Sequence, residues 1–437
     1  MAWIDHALWW HVYPLGFTDA PIRAEDSRTG RGFDHLTSWL DYVQELGLNG
    51  IALGPIFASK THGYDTLDYL RIDPRLGDDA AFDRFLSACK ERGIRVLLDG
   101  VFSHVSTDFE PLCRELESPA DSAAAREFDI DMDADGGPAP RVWEGHGELA
   151  RFNHDSAAAK DRIEHVMRHW LERGIDGWRL DAAYSVPTHF WRAIIPSLRR
   201  DFPGAYFFAE IIHGDYCEFV EETGVDSATE YELWKAIYSS IEQKNLFELE
   251  WTLGRHNTFL EHFVPYTFVG NHDTSRIASV LGADGALTAH AILYTLGGCP
   301  VLYYGDEQAF RGIKEERIGG DDDVRQAFPD SPRDFFGEGL AMRDAIAGLI
   351  GVRRAEPWLV TARTEVLDIA NERMTYRAHE HGGERFIDVD VALEDMPRVT
   401  IRDAHGTVLW SQPQLYSEAS VGTAPLANTG AETPRAR

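Results

Sequence analysis

Along the first half of the chain, apolar positions recur in a repeating unit in which an amphipathic helical stretch ends at a glycine and a β-rich run follows at once. Phe33, Leu36, Leu40, Val43 and Leu46 share one helical face, Gly47 stops the helix, and Gly50-Ile-Ala-Leu-Gly-Pro-Ile56 has the composition of a strand. The unit returns with Phe82, Phe85, Leu86 and Cys89, closed by Gly93 before Ile94-Arg-Val-Leu-Leu-Asp99. It returns again with Ile163, Val166, Met167, Trp170 and Leu171, closed by Gly174 before Gly177-Trp-Arg-Leu-Asp181. Helix and strand alternating over short connections predict parallel strands joined by right-handed crossovers. Further strands are predicted at 9–17, 205–210, 225–230, 264–272 and 300–305, eight in all. Eight parallel strands, with no Gly-rich dinucleotide fingerprint after the first, predict an α/β fold closed into a (β/α)8 TIM barrel.

Two segments depart from the alternation. Residues 105–153 are long and polar where a short connection is due, which predicts an inserted subdomain after strand 3, at the top of the barrel. Beyond Pro357, short alternating runs spaced by turn residues predict a small antiparallel β domain over 357–418. The Ala-, Thr-, Pro- and Gly-rich stretch 419–437 is expected to be disordered, which leaves 1–104 and 154–356 for the barrel.

Composition narrows the partners. With 437 residues, 44% hydrophobic content and twelve Trp, the chain can bury a large core. A formal charge of −30 repels phosphate backbones and anionic lipid, so neither nucleic acid nor membrane is an expected partner and a neutral substrate fits best. The start, Met1-Ala-Trp-Ile-Asp5, has no basic or apolar leader pattern, and no later stretch reads as long and apolar enough to span a bilayer, which predicts a cytoplasmic protein. Cys89, Cys113, Cys217 and Cys299 lie far apart with no CxxC pair, as expected of small buried hydrophobes rather than metal ligands or a disulfide framework. Association as a homodimer is left open.

In such a barrel the chemistry collects where the strands end. Asp99, Asp181, Glu210 and, just past its strand, Asp273 all stand there. One acid at a strand end is often only solvated, but four converging on one mouth point to a site. Several carboxylates facing a neutral substrate suit glycosidic chemistry, in which one carboxyl protonates the leaving oxygen and another attacks or activates water. Arg179, two residues before Asp181 and so on the same strand face, is expected to hold Asp181 ionised as a nucleophile. Glu210 follows the apolar run Tyr206-Phe-Phe-Ala209, the setting in which a carboxyl serves as acid and base. His104 and His272 abut strand-end acids and can donate to sugar hydroxyls. There is no HExxH, and carboxylate-pair hydrolysis requires no metal, so no metal ligands are assigned.

These residues resemble the four signature regions of the α-amylase family, glycoside hydrolase family 13, in order. They are Asp99-Gly-Val-Phe-Ser-His104, Gly177-Trp-Arg-Leu-Asp-Ala-Ala183, Phe208-Ala-Glu210 and Phe268-Val-Gly-Asn-His-Asp273. The resemblance implies a retaining mechanism, with Asp181 as nucleophile, Glu210 as acid/base and Asp273 as transition-state stabiliser, and it places His104, Arg179 and His272 around the sugar. His62-Gly-Tyr-Asp-Thr-Leu-Asp-Tyr69 resembles the family loop whose tyrosine, here Tyr64, stacks beneath the sugar. Leu149-Ala-Arg-Phe-Asn153 resembles the motif that ends the inserted domain. Gly319-Gly-Asp-Asp-Asp-Val-Arg325 resembles a loop whose arginine pairs with an aspartate near the non-reducing sugar, which makes Asp65 and Arg325 the candidate pair.

Within the family the chain looks most like the cyclomaltodextrinase and neopullulanase branch, without the N-terminal domain of that branch, because the first-strand motif Trp9-Trp-His-Val-Tyr-Pro14 comes almost immediately. Ser103 stands where the first region commonly has an asparagine linked to calcium, and Asp131-Met-Asp-Ala-Asp-Gly136 starts like a calcium loop but has Val142 at its twelfth position, so calcium is not carried over. Tyr184 and Ser185 replace a Lys-His pair that binds the reducing-side sugar in several relatives. The expected activity is hydrolysis of short or cyclic malto-oligosaccharides. A transglycosylase with the same chemistry and a non-catalytic binding barrel are the alternatives.

Overall fold

A computed structural model describes residues 3–22, 30–317, 319–335 and 337–415. The tail expected at 419–437 lies outside the described residues. Eight strands form one parallel sheet: β1 Trp9–Val12, β2 Gly50–Leu53, β3 Arg95–Gly100, β4 Gly177–Leu180, β5 Tyr206–Ala209, β6 Ser227–Ala228, β7 Tyr266–Phe268 and β8 Cys299–Tyr303. Their order is β6-β5-β4-β3-β2-β1-β8-β7. A parallel bridge between Thr229 and Tyr266 joins the two edges, with Glu230 N–H donating to Tyr266 O at 3.1 Å, and closes the barrel.

Alternation along each strand divides the core in two. Trp9, Leu97, Tyr206, Phe208, Tyr266 and Phe268 fill the barrel interior. Their chain neighbours, among them Trp10, Leu98 and Phe207, point outward against the helices. Because the period is two, the inward set continues to the strand ends as His11, Asp99, Arg179, Asp181 and Glu210. Two glycines make the central step possible. Gly174 caps the helix Ala157–Arg173 in the left-handed conformation (φ 110°). At Gly177 a Cβ would lie 1.9 Å from Tyr206 O, so only glycine lets β4 and β5 meet in this register.

Several boundaries differ from the expectation. The strand predicted at 9–17 stops at Val12, and Pro14 then starts the helix Pro14–Phe17 from its preset first-turn conformation. The single helix expected over 33–46 is two, Gly32–Ser38 and Leu40–Glu45. Thr37 and Ser38 hydroxyls donate to Phe33 O and His35 O just before the break, as short hydroxyl side chains do when they compete with the helical ladder. An unanticipated antiparallel pair, Phe57–Ser59 with Thr66–Ile72, follows β2.

The helix Ile277–Thr295 corrects the statement that no stretch is long and apolar enough for a bilayer, since by length and composition it is. Its backbone is broken at Gly282 (φ 70°), and it is mostly buried between the helices Tyr231–Glu242 and Glu338–Ala355 and the C-terminal sheet. Its apolar character therefore serves the protein core. That sheet has five antiparallel strands in chain order, β9 Arg363–Ala370, β10 Arg373–His379, β11 Phe386–Ala392, β12 Arg398–Asp403 and β13 Val408–Ser411. It docks through contacts such as Thr295 Oγ1 to Tyr376 Oη at 2.6 Å.

Between β3 and the helix Ala157–Arg173 the chain leaves the barrel. His104–Ser106 pairs with His146–Arg151, which pairs in turn with Val142–Trp143, and the resulting hairpin tip lies over the strand ends.

Candidate active site

Adjacent strands set the first contacts. Arg179 on β4 lies directly opposite Asp99 on β3, and Asp181 follows on the same face. The arrangement is wider than a private Arg179–Asp181 pair. Nη1 of Arg179 is 2.6 Å from Asp99 Oδ2 and 2.8 Å from Asp181 Oδ1, while Nη2 is 2.8 Å from Glu210 Oε1. One buried guanidinium therefore serves three buried carboxylates.

Burial and the neighbouring carboxylates oppose the ionised form of Asp181, which Arg179 favours. Burial pushes the Asp181 carboxyl well above its ordinary value, Arg179 opposes the shift, and the Glu210 and Asp99 charges add to it. Asp99 is raised too, by burial first, with Arg179 opposing. Burial also works against the Arg179 charge, but the Asp99, Glu210 and Asp181 carboxylates outweigh it and keep the guanidinium firmly protonated.

Glu210 has further donors. Ala182 N–H reaches Oε2 at 2.9 Å and the Tyr231 hydroxyl reaches Oε1 at 3.0 Å. Ala182 is held at φ 43°, a left-handed conformation that costs an alanine about 1–2 kcal/mol. The turn aims its N–H at Glu210 immediately after Asp181.

Across the cleft the charges are arranged the other way. Asp273 Oδ1 accepts from Arg325 Nη2 at 2.8 Å, and Oδ2 lies 3.0 Å from His272 Nε2. Burial pushes this carboxyl up, but His272, Arg325 and Arg179 together outweigh burial and hold it well below the usual carboxylate range. Arg325 is fixed by donation to His272 O at 3.0 Å, by Asp321 at 3.2 Å and by the Tyr13 ring, whose centroid is 4.7 Å from its guanidinium carbon. Tyr64 hydrogen-bonds through its hydroxyl to His272 and, at 3.2 Å, to Asp99, while its ring lies parallel to His272 at 5.4 Å. His11, missed in the sequence, backs His272 at 2.9 Å between ring nitrogens; its inward position follows from Trp9 by the period of two.

Asp65 does not join this group. Its carboxylate accepts from the Thr61 N–H at 3.0 Å and from the Thr61 hydroxyl at 2.5 Å, bracing the loop that presents Tyr64. The aspartates that meet Arg325 are Asp273 and Asp321, so the Asp65–Arg325 pairing is corrected. His104 is buried between Ser103 Oγ at 2.8 Å and Tyr64 O at 2.9 Å, and its ring faces Trp143 at 4.4 Å.

The described residues enclose a cleft of about 420 Å³, in which Asp181, Glu210 and Asp273 face Tyr64, Trp143 and Tyr184. Trp143, from the hairpin tip, is tied to the barrel by Nε1 donating to Ser185 Oγ at 3.1 Å. The sequence reading missed Trp143, Tyr231 and Asn271. The last two stand at strand ends, where the rule applied to the acids also selects them.

At the two positions where the sequence raises calcium, the side chains have protein partners. Ser103 is engaged by His104, and the Asp131 carboxylate caps Asp133 N–H and meets Arg141. Among the described residues no group of three or more His, Cys, Asp or Glu is placed to hold a metal ion.

The model of the α-amylase catalytic domain matches residues 11–373. A cyclomaltodextrinase of Geobacillus thermopakistaniensis is 29% identical over 342 residues, covering 71% of this chain and 57% of that protein. A maltogenic α-amylase of Bacillus acidopullulyticus is 28% identical, with the same coverage of 71% and 57%. This chain thus spans little more than half the length of these curated relatives. Among solved structures, the ligand-free cyclic α-maltosyl-(1→6)-maltose hydrolase of Arthrobacter globiformis shares the fold with a TM-score of 0.79, at 24% identity over 94% of this chain and 98% of that one.

Proposed function

This chain belongs to the α-amylase family of glycoside hydrolases, and from that premise we propose that it hydrolyses α-glucosidic bonds in short or cyclic malto-oligosaccharides with retention of configuration. The observation that carries the reading is that Asp181 and Glu210 lie 2.8 Å from different nitrogens of one guanidinium while both open onto the same cleft. Retaining hydrolysis needs two carboxyls on one cleft, about 5–5.5 Å apart.

In the first step a carboxylate oxygen of Asp181 bonds to the anomeric carbon. The bond from that carbon to the glycosidic oxygen breaks, and the oxygen takes the Glu210 proton. In the second step Glu210 removes a proton from water, whose oxygen displaces Asp181 from the anomeric carbon. Asp273, kept anionic by Arg325 and His272, faces the positive charge that grows on the sugar ring. Carboxylates alone supply this chemistry, so the reading calls for no metal. The relatives' printed names support the substrate class.

Tyr184 and Trp143 favour a second outcome of the same chemistry. They form an aromatic wall beside the reacting acids that suits a sugar hydroxyl in place of water, which gives transglycosylation. We place the protein in the cytoplasm, where its four free cysteines would stay reduced.

The test is Asp181→Asn, assayed on maltotriose, cyclodextrin, isomaltose and maltose, with the first product followed by NMR. Loss of turnover in the variant and an α-configured first product in the native enzyme are expected. A β-configured product, or near-normal turnover of the variant, would overturn the reading.

A further inference from the structure

We propose that Asn271 and Tyr231 form a one-way hydrogen-bond relay that confines the working proton of Glu210 to Oε2. The proposal rests on the acid/base reading of Glu210. Tyr231 opens the helix Tyr231–Glu242 directly after the short strand β6. Its ring is fixed edge-on against Phe268 at 4.9 Å and Trp234 at 5.8 Å. Behind it, the preceding residue Glu230 is anchored by a fully buried contact with His256 at 2.8 Å.

The direction of the relay follows from donor and acceptor identity. Asp273 N–H donates to Asn271 Oδ1 at 2.9 Å, which assigns the other end of that amide as nitrogen. Asn271 Nδ2, able only to donate, lies 2.9 Å from the Tyr231 hydroxyl oxygen. A phenol has one proton, and since its oxygen is already accepting from Asn271, that proton points to Glu210 Oε1, 3.0 Å away.

Oε1 then faces two donors, Tyr231 and Arg179 Nη2, and has no place for a proton of its own. Among the described residues, Oε2 accepts only from Ala182 N–H. When Glu210 is an acid, its proton therefore sits on Oε2. As the Oε2–H bond breaks, the proton passes to the glycosidic oxygen, which leaves the anomeric carbon with the bonding electron pair. Negative charge grows on Glu210, and the three donors strengthen with it, so the relay acts on the transition state more than on the bound substrate. Tyr231 and Asn271 are positioning residues.

Tyr231→Phe keeps the ring and removes the hydroxyl. On maltotriose kcat/KM should fall about 10- to 100-fold, the range of one hydrogen bond to a charged group. On 2,4-dinitrophenyl α-glucoside, whose leaving group departs without a proton, the change should stay below about 3-fold. The basic limb of the kcat/KM profile should move to higher pH, because a carboxylate that loses a donor is harder to ionise. Asn271→Asp replaces the donor by an acceptor, draws the Tyr231 proton away from Glu210 and should give the same two signatures. Combined with Tyr231→Phe it should add little.

Equal losses on both substrates, or an unmoved pH profile in a folded Tyr231→Phe enzyme, would show that Tyr231 only packs and would overturn the relay. Glu210→Gln separates this failure from the broader one. If that variant still cleaves maltotriose, the acid/base reading itself falls; if it cleaves only the dinitrophenyl substrate while Tyr231→Phe behaves like the native enzyme, the relay alone falls.

Discussion

The two walls of the cleft treat their acids in opposite ways. On one wall Asp99, Asp181 and Glu210 share the single cation Arg179. On the other, Asp273 meets Arg325 and His272, and Arg325 also meets Asp321. Asp181 is the more deeply buried of the two and is crowded by like charges, whereas both oxygens of Asp273 have a partner of their own. Where carboxylates are in excess, Asp181 is driven well above its ordinary pKa. Where Arg325 and His272 each hold one of its oxygens, Asp273 is driven well below. This division matches two duties. A residue that faces the positive charge of a glycosyl transition state has to be anionic throughout, whereas the acids on the first wall act by gaining and losing protons or covalent partners.

The sharpest way to break the comparison is to make the same exchange on both walls. Asp181→Asn and Asp273→Asn should each lower kcat/KM on maltotriose by about 10⁴-fold or more, as removal of a central catalytic group does. Their melting temperatures should move apart. Asp181→Asn relieves a buried excess of negative charge and should raise the melting temperature, while Asp273→Asn takes one of two anionic partners from the buried Arg325 and should lower it. Shifts of the same sign in a thermal melt would refute the contrast. The cations come next. Arg179→Gln strands three buried carboxylates and should destabilise the fold by about 3–5 kcal/mol in urea unfolding. Arg325→Lys keeps the charge but loses the stack on Tyr13 and the planar fork, and should cost about 10-fold in kcat/KM with little change in stability.

How far the sequence shows all this depends on whether a feature is periodic. The barrel is legible because helix, glycine and strand repeat, and the acids are legible because they stand at predicted strand ends. The period of two places Arg179 beside Asp181, but a pattern within one strand says nothing of neighbouring strands, so the sharing of Arg179 with Asp99 and Glu210 is hidden. Burial and the two other carboxylates, which the pattern of one strand does not reveal, work against the ionised form of Asp181 that Arg179 favours. The Asp65–Arg325 pairing failed for a similar reason: both sit in loops, and the Thr61 turn that takes up Asp65 is a local contact that a motif does not encode. Trp143 reaches the cleft from the tip of the inserted hairpin, at a position fixed by the path of that segment and not by spacing. β6 is two residues long and leaves almost no alternation to read.

The smallest effect tests the electrostatics alone. The nucleophile must be ionised, so the acidic limb of the kcat/KM profile follows Asp181 and should lie above the ordinary aspartate value of about 3.9. Asp273, held below that value, is ionised across the same window and adds nothing to the limb. The two acids also contribute to stability with opposite sign. Asp273 stabilises the fold above the unfolded-state value and loses that contribution as pH falls through its lowered pKa. Ionised Asp181 costs stability, and that cost is relieved as pH falls through its raised pKa. Asp99→Asn removes one of the like charges that lift Asp181 and frees more of Arg179 for it, so the acidic limb should move to lower pH. Arg325→Lys, on the opposite wall, should leave the limb where it is. A limb that stays fixed in Asp99→Asn would show that the Asp99 charge does not lift Asp181.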